Sequence, residues 1–340
     1  MTVLPIAPRI VVLGSGAWGT AIALSLARNG RPITLWAHSP EAAKEIVDAG
    51  ENIQFLPGFP LPDSITVTGD TEAIAHADIV FSVVPSEFLR PIMARLQPHL
   101  HSGQILVSAT KGVENGTFLR MTQVIASCVG EVGLTLPIGA LSGPSFAKEV
   151  AEGQPTAVTV AFDDHSIAAL VQREVSSESL RLYTSSDVIG VELGGALKNV
   201  IAIAAGIAAG VGLGYNSTAG LITRGIAEIT RLAVACGGRR ETLAGLSGLG
   251  DLVLTCTGSL SRNRTVGMEL GQGRKLPEIL ASLGGKVAEG VYTTRAALGL
   301  AHQQRIEMPI AEQMELILEK GKDPREAIKD LMLRPGKHEH

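Results

Sequence analysis

The 340-residue sequence has little cysteine: Cys128, Cys236 and Cys256 are far apart and include no C-x-x-C pair. That scarcity argues against a disulfide framework and against a zinc site, and it favours a reduced, cytoplasmic protein with no metal. The formal net charge is only -4, and no block of basic residues is present. We therefore expect no nucleic acid and no membrane surface among its partners.

The sequence also lacks a long uninterrupted hydrophobic run. Its most apolar stretch, residues 200–214, follows Lys198 and Asn199 and falls short of the roughly 18 residues that a membrane span requires. Small residues dominate this stretch, which indicates a helix packed closely in the protein interior. The first eight residues have no positively charged segment of the kind that begins a signal peptide. We expect no integral membrane segment.

The first half of the chain does contain a series of short, continuously apolar segments, which is typical of parallel strands covered on both faces. Strands are predicted at residues 10–13, 33–36, 65–68, 79–83, 105–108, 138–141 and 157–161, with residues 156–183 closing the sheet. Beyond about residue 187, helical spacing replaces the strand pattern, for example at 221–236 and 308–320. The sequence predicts an α/β Rossmann-like domain with a mostly parallel sheet at residues 1–188. An all-α, substrate-binding domain is predicted at 189–340, with a ligand cleft between the two.

A glycine-rich turn follows the first predicted strand and opens a predicted helix. Gly14, Gly16 and Gly19 have the spacing G-x-G-x-x-G. Glycine allows a tight turn and a close backbone approach, and a helix N-terminus attracts anions. The position of the turn between a strand and a helix therefore favours a dinucleotide pyrophosphate site over a tight turn without a ligand.

The end of the second predicted strand bears on which dinucleotide is bound. His38 and Ser39 follow it, and the first carboxylate is Glu41. An acidic residue at this place accepts the ribose 2′-OH of NAD and would repel a 2′-phosphate. The sequence favours NADPH, or tolerance of both NADPH and NADH. The alternative is that His38 is simply a surface loop residue.

Two lysines are candidates for the chemistry. Lys111 follows a predicted strand, where its cation could reach both a cofactor and a polar substrate; the alternative is a solvated lysine in a turn. Lys198 lies in an apolar, small-residue helix, and burial would lower its pKa. That property suits a general acid/base for an alcohol/ketone pair. The alternative is a lysine whose side chain reaches the surface from a helix end.

A third cluster combines a hydroxyl, a guanidinium and an amide. Ser261, Arg262 and Asn263 precede a predicted helix at 265–270, and together they suit a phosphate monoester. A capped, basic helix start is the alternative. Asp251, which lies among glycines, is a plausible partner for a lysine or for a substrate hydroxyl.

Six motifs occur in one order along the chain. They are GSGAWGTA at 14–21, KG at 111–112, LSGPSFAKE at 141–149, LGGALKNV at 193–200, GLGDL at 248–252 and SRN at 261–263. In this the chain resembles the bacterial NAD(P)-dependent glycerol-3-phosphate dehydrogenases from about residue 9 to 333. The resemblance implies hydride transfer from NADPH or NADH to C2 of dihydroxyacetone phosphate, which gives sn-glycerol 3-phosphate for phospholipid synthesis. It further implies that Lys198 is the proton acceptor, and we expect a homodimer.

The resemblance also implies binding residues. Those for the cofactor, together with the three glycines of the turn, are Ala17, Trp18, His38, Lys111, Ala147, Arg262, Val287 and Glu289. Those for the substrate are Lys111, Gly143, Ser145, Lys198, Asp251, Ser261, Arg262 and Asn263. Relatives have serine or tyrosine types where this chain has Ala17 and Trp18, a change that leaves backbone contacts possible.

Two other functions stay open on the sequence alone. A related β-hydroxy-acid dehydrogenase would need a carboxylate clamp in place of the cluster at 261–263. A non-catalytic dinucleotide sensor would leave Lys198 buried without a purpose. Loss of turnover on substitution of Lys198 would separate an enzyme from a sensor.

Overall fold

The structure, a computed structural model, describes residues 8–284, 287–336 and 338. Its strands are β1 Ile10–Leu13, β2 Ile33–Trp36, β3 Ile65–Thr68, β4 Ile79–Ser82, β5 Ile105–Ser108, β6 Ile138–Ser142, β7 Thr156–Ala161 and β8 Leu180–Ser185. They form one sheet in the order β3-β2-β1-β4-β5-β6-β7-β8. Each predicted strand is present, with ends within one residue of the predicted ones.

Helices surround the sheet and then make up the rest of the chain. Those of the first half are α1 Ala17–Ala27, α2 Pro40–Ala49, α3 Leu89–Leu96, α4 Met121–Glu131, α5 Ala147–Glu152 and α6 His165–Val175. Those of the second half are α7 Val188–Val211, α8 Tyr215–Ala235, α9 Arg240–Leu243, α10 Asp251–Thr257, α11 Arg262–Gly271, α12 Leu276–Ser282, α13 Glu289–Gln303, α14 Pro309–Lys320 and α15 Pro324–Met332. A π-helical turn, Leu246–Gly250, precedes α10. The predicted fold class, a Rossmann-like α/β domain followed by an all-α region, is confirmed.

Both faces of the central strands β1, β4 and β5 are buried, which explains why these strands are almost continuously apolar. Within β1, Ile10 and Val12 belong to the core shared with α1 and α6, whereas Val11 and Leu13 belong to the core shared with α3 and α4. Alternate side chains of a strand point to opposite faces, so a strand covered on both faces has no solvent-facing position and is mostly apolar.

The sheet reverses direction once. All neighbouring pairs are parallel except β6 and β7, where Ala140 pairs with Ala161 in an antiparallel register. The apolar pattern does not encode strand direction, and the thirteen residues between the two strands are long enough for either connection. The prediction of a mostly parallel sheet is therefore confirmed, and the reversal is new information from the structure.

Helix α7 is the core of the helical region. It begins at Val188, so Lys198 lies in its interior rather than at its head, and the last strand ends only three residues before it. Among the described residues, α7 is the single continuous helix long and apolar enough to cross a membrane, and 89% of its apolar window is buried in the protein. Arg240–Thr257 with Arg262–Gly271 passes the same test only as a bent pair. The predicted closely packed helix is confirmed for residues 200–211, whereas residues 212–214 lie beyond the end of α7 and are exposed. The domain division at 188/189 stays a prediction.

Glycines bring the backbones of α7 and α11 into contact. A Cβ at Gly206 would lie 2.0 Å from the carbonyl oxygen of Arg264, and one at Gly267 would lie 2.0 Å from that of Ile203. Gly210 and Gly271 make the same kind of contact one turn further on. The first turn of α11 is therefore held against α7 by main-chain packing.

Gly206→Ala is expected to lower the free energy of unfolding by about 1–3 kcal/mol, because the added methyl group must push α11 away from α7. Urea unfolding followed by circular dichroism measures the change. Gly220→Ala is the matched control, since it lies in α8 with nothing within 4 Å of the added Cβ. It should be neutral or raise stability by about 0.5–1 kcal/mol. Equal effects of the two substitutions would contradict the packing argument.

Candidate functional site

The carboxyl ends of the parallel strands meet at one edge of the sheet, where ligand sites of such sheets form. β1, β4 and β5 run parallel and end here, and α10, α11 and α13 all pack against α7. The structure brings most of the predicted site residues to this place.

The glycine turn has the geometry of a pyrophosphate cradle. Gly14 has φ +110°, a conformation that L side chains rarely adopt, and a Cβ at Gly19 would lie 1.8 Å from the carbonyl oxygen of Gly14. A Cβ at Gly16 would meet nothing within 4 Å, so the backbone is open on the side from which a ligand approaches. Gly16 is also the N-cap of α1 and has no side chain to occupy the first N–H groups. The turn therefore fits a dinucleotide.

A residue that the sequence analysis missed holds this turn in place. Asn52 is buried, and its Nδ2 donates to the carbonyl oxygen of Ser15 at 2.7 Å and to Thr20 Oγ1 at 2.8 Å. Its Oδ1 accepts the N–H of Phe55 at 3.2 Å. Nothing in the local sequence points to Asn52, because its partners lie more than thirty positions earlier.

No carboxylate directly follows β2, where the adenosine ribose of a dinucleotide is expected. His38 follows β2 and is exposed, while Ala17 and Trp18 are the first, half-buried residues of α1. Glu41 lies in the first turn of α2, and hydrogen bonds from its own backbone and then from Ser39 lower its pKa. Its carboxylate is thus engaged with the start of its own helix.

Asp251 joins the two predicted lysines. It is fully buried at the start of α10; its Oδ1 accepts a hydrogen bond from Lys198 Nζ, and its Oδ2 accepts one from Lys111 Nζ at 2.8 Å. Thr255 Oγ1 donates to the Asp251 carbonyl oxygen at 2.6 Å. The alternative interpretations of the two lysines are wrong. Lys111 is paired with Asp251 rather than free in solvent, and the Lys198 side chain does not reach the surface.

Burial makes Lys198 a weak base compared with an ordinary lysine. Removal from water lowers its pKa from 10.5 to about 7; the Asp251 carboxylate opposes this shift and the Lys111 ammonium adds to it. Lys198 can therefore gain or lose a proton near neutral pH. Cys256, next to this cluster, has its pKa raised by burial to about 12 and stays a thiol there.

The cluster at 261–263 lies in the first turn of α11 rather than ahead of it. The predicted helix start at residue 265 is wrong, because Ser261 is already the N-cap and its Oγ accepts the N–H of Arg264 at 3.2 Å. A helix N-terminus attracts anions, so the corrected boundary adds backbone N–H groups to the side chains already predicted for a phosphate. The alternative, a capped helix start, is therefore also correct, and the residues predicted to bind a phosphate lie in that same first turn.

Both ends of the Asn263 amide are held by the protein. Its Nδ2 donates to Asn199 Oδ1 at 3.0 Å, and its Oδ1 accepts the N–H of Gly290 at 2.9 Å. These bonds fix the orientation of the amide and leave one N–H for a ligand. Asn199, the neighbour of Lys198, was not among the predicted residues.

Arg262 and Glu289 interact electrostatically with each other. Arg262 is exposed to solvent at the start of α11, and partial desolvation by the surrounding protein lowers its pKa, which Glu289 partly offsets. Ser86, just beyond β4, donates its Oγ proton to Glu289 Oε2 at 2.8 Å, and burial raises the pKa of Glu289 to about 7. Val287 lies half-buried two residues before Glu289.

The tail of β6 borders the lysine cluster. Gly143 has φ +148°, and Ser145 Oγ donates to its carbonyl oxygen at 2.9 Å. Pro144 contacts Gly250, the residue before Asp251, and Ala147 begins α5. In the described ranges no group of three or more His, Cys, Asp or Glu side chains could hold a metal, and the three cysteines are free thiols.

Comparison with known proteins identifies relatives over almost the whole chain. Two family models match, the N-terminus of NAD-dependent glycerol-3-phosphate dehydrogenase at residues 9–168 and its C-terminus at 187–329. The glycerol-3-phosphate dehydrogenase [NAD(P)+] of Acidobacterium capsulatum is 59% identical over 336 residues, 97% of this chain and 99% of that protein. That of Koribacter versatilis is 56% identical over 330 residues, 96% and 98% of the two chains.

Solved structures give the same answer. The crystal structure of glycerol-3-phosphate dehydrogenase from Coxiella burnetii superposes with a TM-score of 0.92 at 38% identity, covering 97% of this chain and all of that one. The yeast enzyme gives a TM-score of 0.81 at 27% identity, covering 96% of this chain and 100% of that chain. Both family models match in order along the chain, which also has the glycine turn and two lysines on the buried Asp251, and the chain belongs to the NAD-dependent glycerol-3-phosphate dehydrogenase family.

Proposed function

We propose that this chain catalyses reversible hydride transfer between NADPH or NADH and C2 of dihydroxyacetone phosphate, giving sn-glycerol 3-phosphate for phospholipid synthesis. The observation that carries the proposal is the Lys198–Asp251–Lys111 cluster. It places a lysine of lowered pKa near the N-terminus of α11, which suits a phosphate group. The bound dinucleotide supplies or accepts the hydride.

The chain's own residues hold the substrate and move its proton. Arg262, Asn263 and Ser261 bind the phosphate and so orient C2, and this positioning supplies much of the rate. In the reductive direction Lys198 donates its Nζ proton to the C2 oxygen, and in the oxidative direction it accepts that proton. Asp251 holds Lys198 in place, and Lys111 adds a second positive charge where negative charge develops on the oxygen.

The remaining assignments follow the same division. We propose that the cofactor is held by Gly14, Gly16, Ala17, Trp18, Gly19, His38, Lys111, Ala147, Arg262, Val287 and Glu289. The proposed substrate contacts are Lys111, Gly143, Ser145, Lys198, Asp251, Ser261, Arg262 and Asn263. A cytoplasmic location is supported by the three free thiols. A homodimer is proposed from the family resemblance, and sedimentation velocity would test it.

The two rival functions fit this site less well. A β-hydroxy-acid dehydrogenase binds a planar carboxylate, whereas the start of α11 offers an N-terminal turn with a guanidinium and a fixed amide. A sensor would gain nothing from a buried lysine whose proton exchanges near neutral pH.

The direct test is oxidation of NADPH and of NADH with dihydroxyacetone phosphate, followed at the nicotinamide absorbance. Turnover with a β-keto acid but none with the phosphate ester would overturn the proposal.

The two directions of the reaction are expected to depend on pH in opposite senses. Reduction needs protonated Lys198, so its kcat should fall as the pH rises through about 7, whereas kcat for oxidation should rise over the same range. Initial rates from pH 5.5 to 9 in both directions measure this. Asp251→Asn removes the carboxylate that favours the charged lysine, so the midpoints should move to lower pH.

Glu289 has to be separated from Lys198, because the pKa of Glu289 is also about 7. Glu289→Gln should leave the opposed pH profiles in place, since the titrating group is the lysine. Profiles that run in the same direction for reduction and oxidation, or that disappear in Glu289→Gln, would contradict the assignment of Lys198.

A further inference from the structure

An arginine from a distant part of the chain lies beside the end of β2. Arg95 is on α3, and its Nη1 donates to the carbonyl oxygen of His38 at 3.0 Å. Its guanidinium carbon is 5.2 Å from the centre of the Trp36 ring, the last residue of β2. A hydrogen bond and a cation–π contact thus hold this guanidinium at the strand end.

Arg95 has no acidic partner. Within residues 8–284, 287–336 and 338, no carboxylate lies within 4.0 Å of its guanidinium, and the bond to His38 is its one hydrogen bond. Two neighbouring cations, by contrast, do have acidic partners: Arg90 on the same helix is paired with Glu114, and Lys44 on α2 is paired with Asp48. Arg95 therefore keeps most of its five N–H donors and its full charge available.

There is room for an anion at this place. Arg95 is exposed and lines an open cavity of about 570 Å³, whose lining also includes Pro40, Thr68, Lys44 and Asp70. The Asp70 carboxylate caps the turn that follows it, where its Oδ1 accepts the N–H of Glu72 at 2.9 Å. No carboxylate occurs at residues 37–40. Glu41 is directed to the first turn of its own helix.

In sheets of this topology the end of the second strand lies next to the adenosine ribose. A carboxylate there accepts the 2′-OH of NAD, whereas a nearby arginine accommodates the 2′-phosphate of NADP. The guanidinium fork matches the geometry of a phosphate and can form two parallel hydrogen bonds to it. The sequence points to His38 at this position, but it gives no sign that residue 95, 57 positions later, reaches the same place.

We propose that Arg95 binds the 2′-phosphate of NADPH and sets a preference of this chain for NADPH over NADH. The proposal rests on the proposed function in one respect, that the glycine turn binds a dinucleotide whose ribose reaches the end of β2. It does not depend on the identity of the reduced substrate.

The test measures binding without catalysis. Adenosine 2′,5′-bisphosphate and 5′-AMP differ only in the 2′-phosphate, and isothermal titration calorimetry gives the Kd of each. The wild-type chain should bind the bisphosphate more tightly. Arg95→Met should weaken that binding by about 10- to 100-fold and change 5′-AMP binding by less than about twofold. Arg95→Lys, which keeps the charge but loses the fork, should lie between the two.

Arg181→Met is the matched control. Arg181 is an exposed arginine on β8, at the opposite edge of the sheet, and stacks over Tyr183 at 5.3 Å, so it loses the same kind of contact far from the site. It should leave both Kd values unchanged. Equal binding of the two nucleotides by the wild-type chain, or equal weakening of both by Arg95→Met, would overturn the proposal.

Steady-state kinetics separates this proposal from the proposed function. With dihydroxyacetone phosphate, Arg95→Met should raise KM for NADPH and leave KM for NADH and kcat with NADH unchanged. Absence of turnover with either cofactor, together with 2′-phosphate binding that depends on Arg95, would refute the dehydrogenase assignment and leave the role of Arg95 intact. A KM ratio that Arg95→Met does not alter would refute the role of Arg95 alone.

Discussion

Lys198→Ala is expected to lower kcat for dihydroxyacetone phosphate reduction by about 10²- to 10⁴-fold, the range that a positioned general acid contributes. Lys111 still pairs with Asp251 in the substituted site, but it does not occupy the position of Lys198, and Cys256 stays a thiol. Binding of NADPH should change little, because the glycine turn and Arg95 do not contact Lys198. Stopped-flow single turnovers measure the chemical step, and nicotinamide fluorescence measures binding.

Stability has to be measured beside activity in this variant. Removal of one partner from a buried ion pair commonly costs about 3–5 kcal/mol, although Lys111 still pairs with Asp251 here. Thermal unfolding of Lys198→Ala with and without NADPH shows whether the folded fraction limits the rate. Lys148→Ala is the control, since Lys148 is an exposed lysine on α5 paired with Glu152. A folded Lys198→Ala variant with kcat within tenfold of the wild type would refute the acid/base role.

Arg262→Ala is expected to lower kcat/KM for dihydroxyacetone phosphate by about 10²- to 10⁴-fold. Two charge-assisted hydrogen bonds to a phosphate, each worth about 1.5–3 kcal/mol, account for a loss of that size. Both KM and kcat should suffer, because binding energy at the phosphate also holds C2 in the reactive position. Steady-state kinetics at saturating NADPH gives the two constants.

A substrate without phosphate distinguishes an anchor from a structural residue. Dihydroxyacetone has nothing for Arg262 to bind, so the variant and the wild type should reduce it at similar, slow rates. Arg274→Ala is the control, because Arg274 is an exposed arginine that follows α11 and pairs with Glu269. If Arg262→Ala loses activity equally on both substrates, its role is not phosphate binding.

The sequence predicts the fold of the first half well because the physics there is local. Strands buried on both faces have continuous apolar runs, and the glycine turn can be identified from the spacing of its glycines and its position between a strand and a helix. Lys198 stood out for the same reason, as a cation in a segment that is otherwise apolar and small. The apolar pattern of a strand, however, does not depend on the direction of the strand, so the antiparallel pairing of β6 and β7 could not be predicted from that pattern.

Of the contacts between distant residues, the sequence predicted only that Asp251 would be a plausible partner for a lysine, and the structure confirms it. Asn52 supports a turn 37 positions earlier, and the two lysines that share the Asp251 carboxylate are 140 and 53 positions from it. Arg95 reaches His38 over 57 positions. Asn52 and Arg95 are unremarkable in their own segments, and only folding brings their partners within hydrogen-bond distance. The start of α11 was placed too late because Ser261 acts both as cap and as part of the predicted cluster.

The glycine contacts between α7 and α11 determine how precisely the site is built. Lys198 projects from one of these helices and Asn263 from the other, and the helices touch through main-chain atoms at Gly206 and Gly267. Side chains between helices can change rotamer and let the spacing drift, whereas two backbones in contact have almost no freedom to do so. The distance between Lys198, the proposed proton donor, and Asn263, in the proposed phosphate site, is therefore set by main-chain contact and by the thickness of the polypeptide backbone.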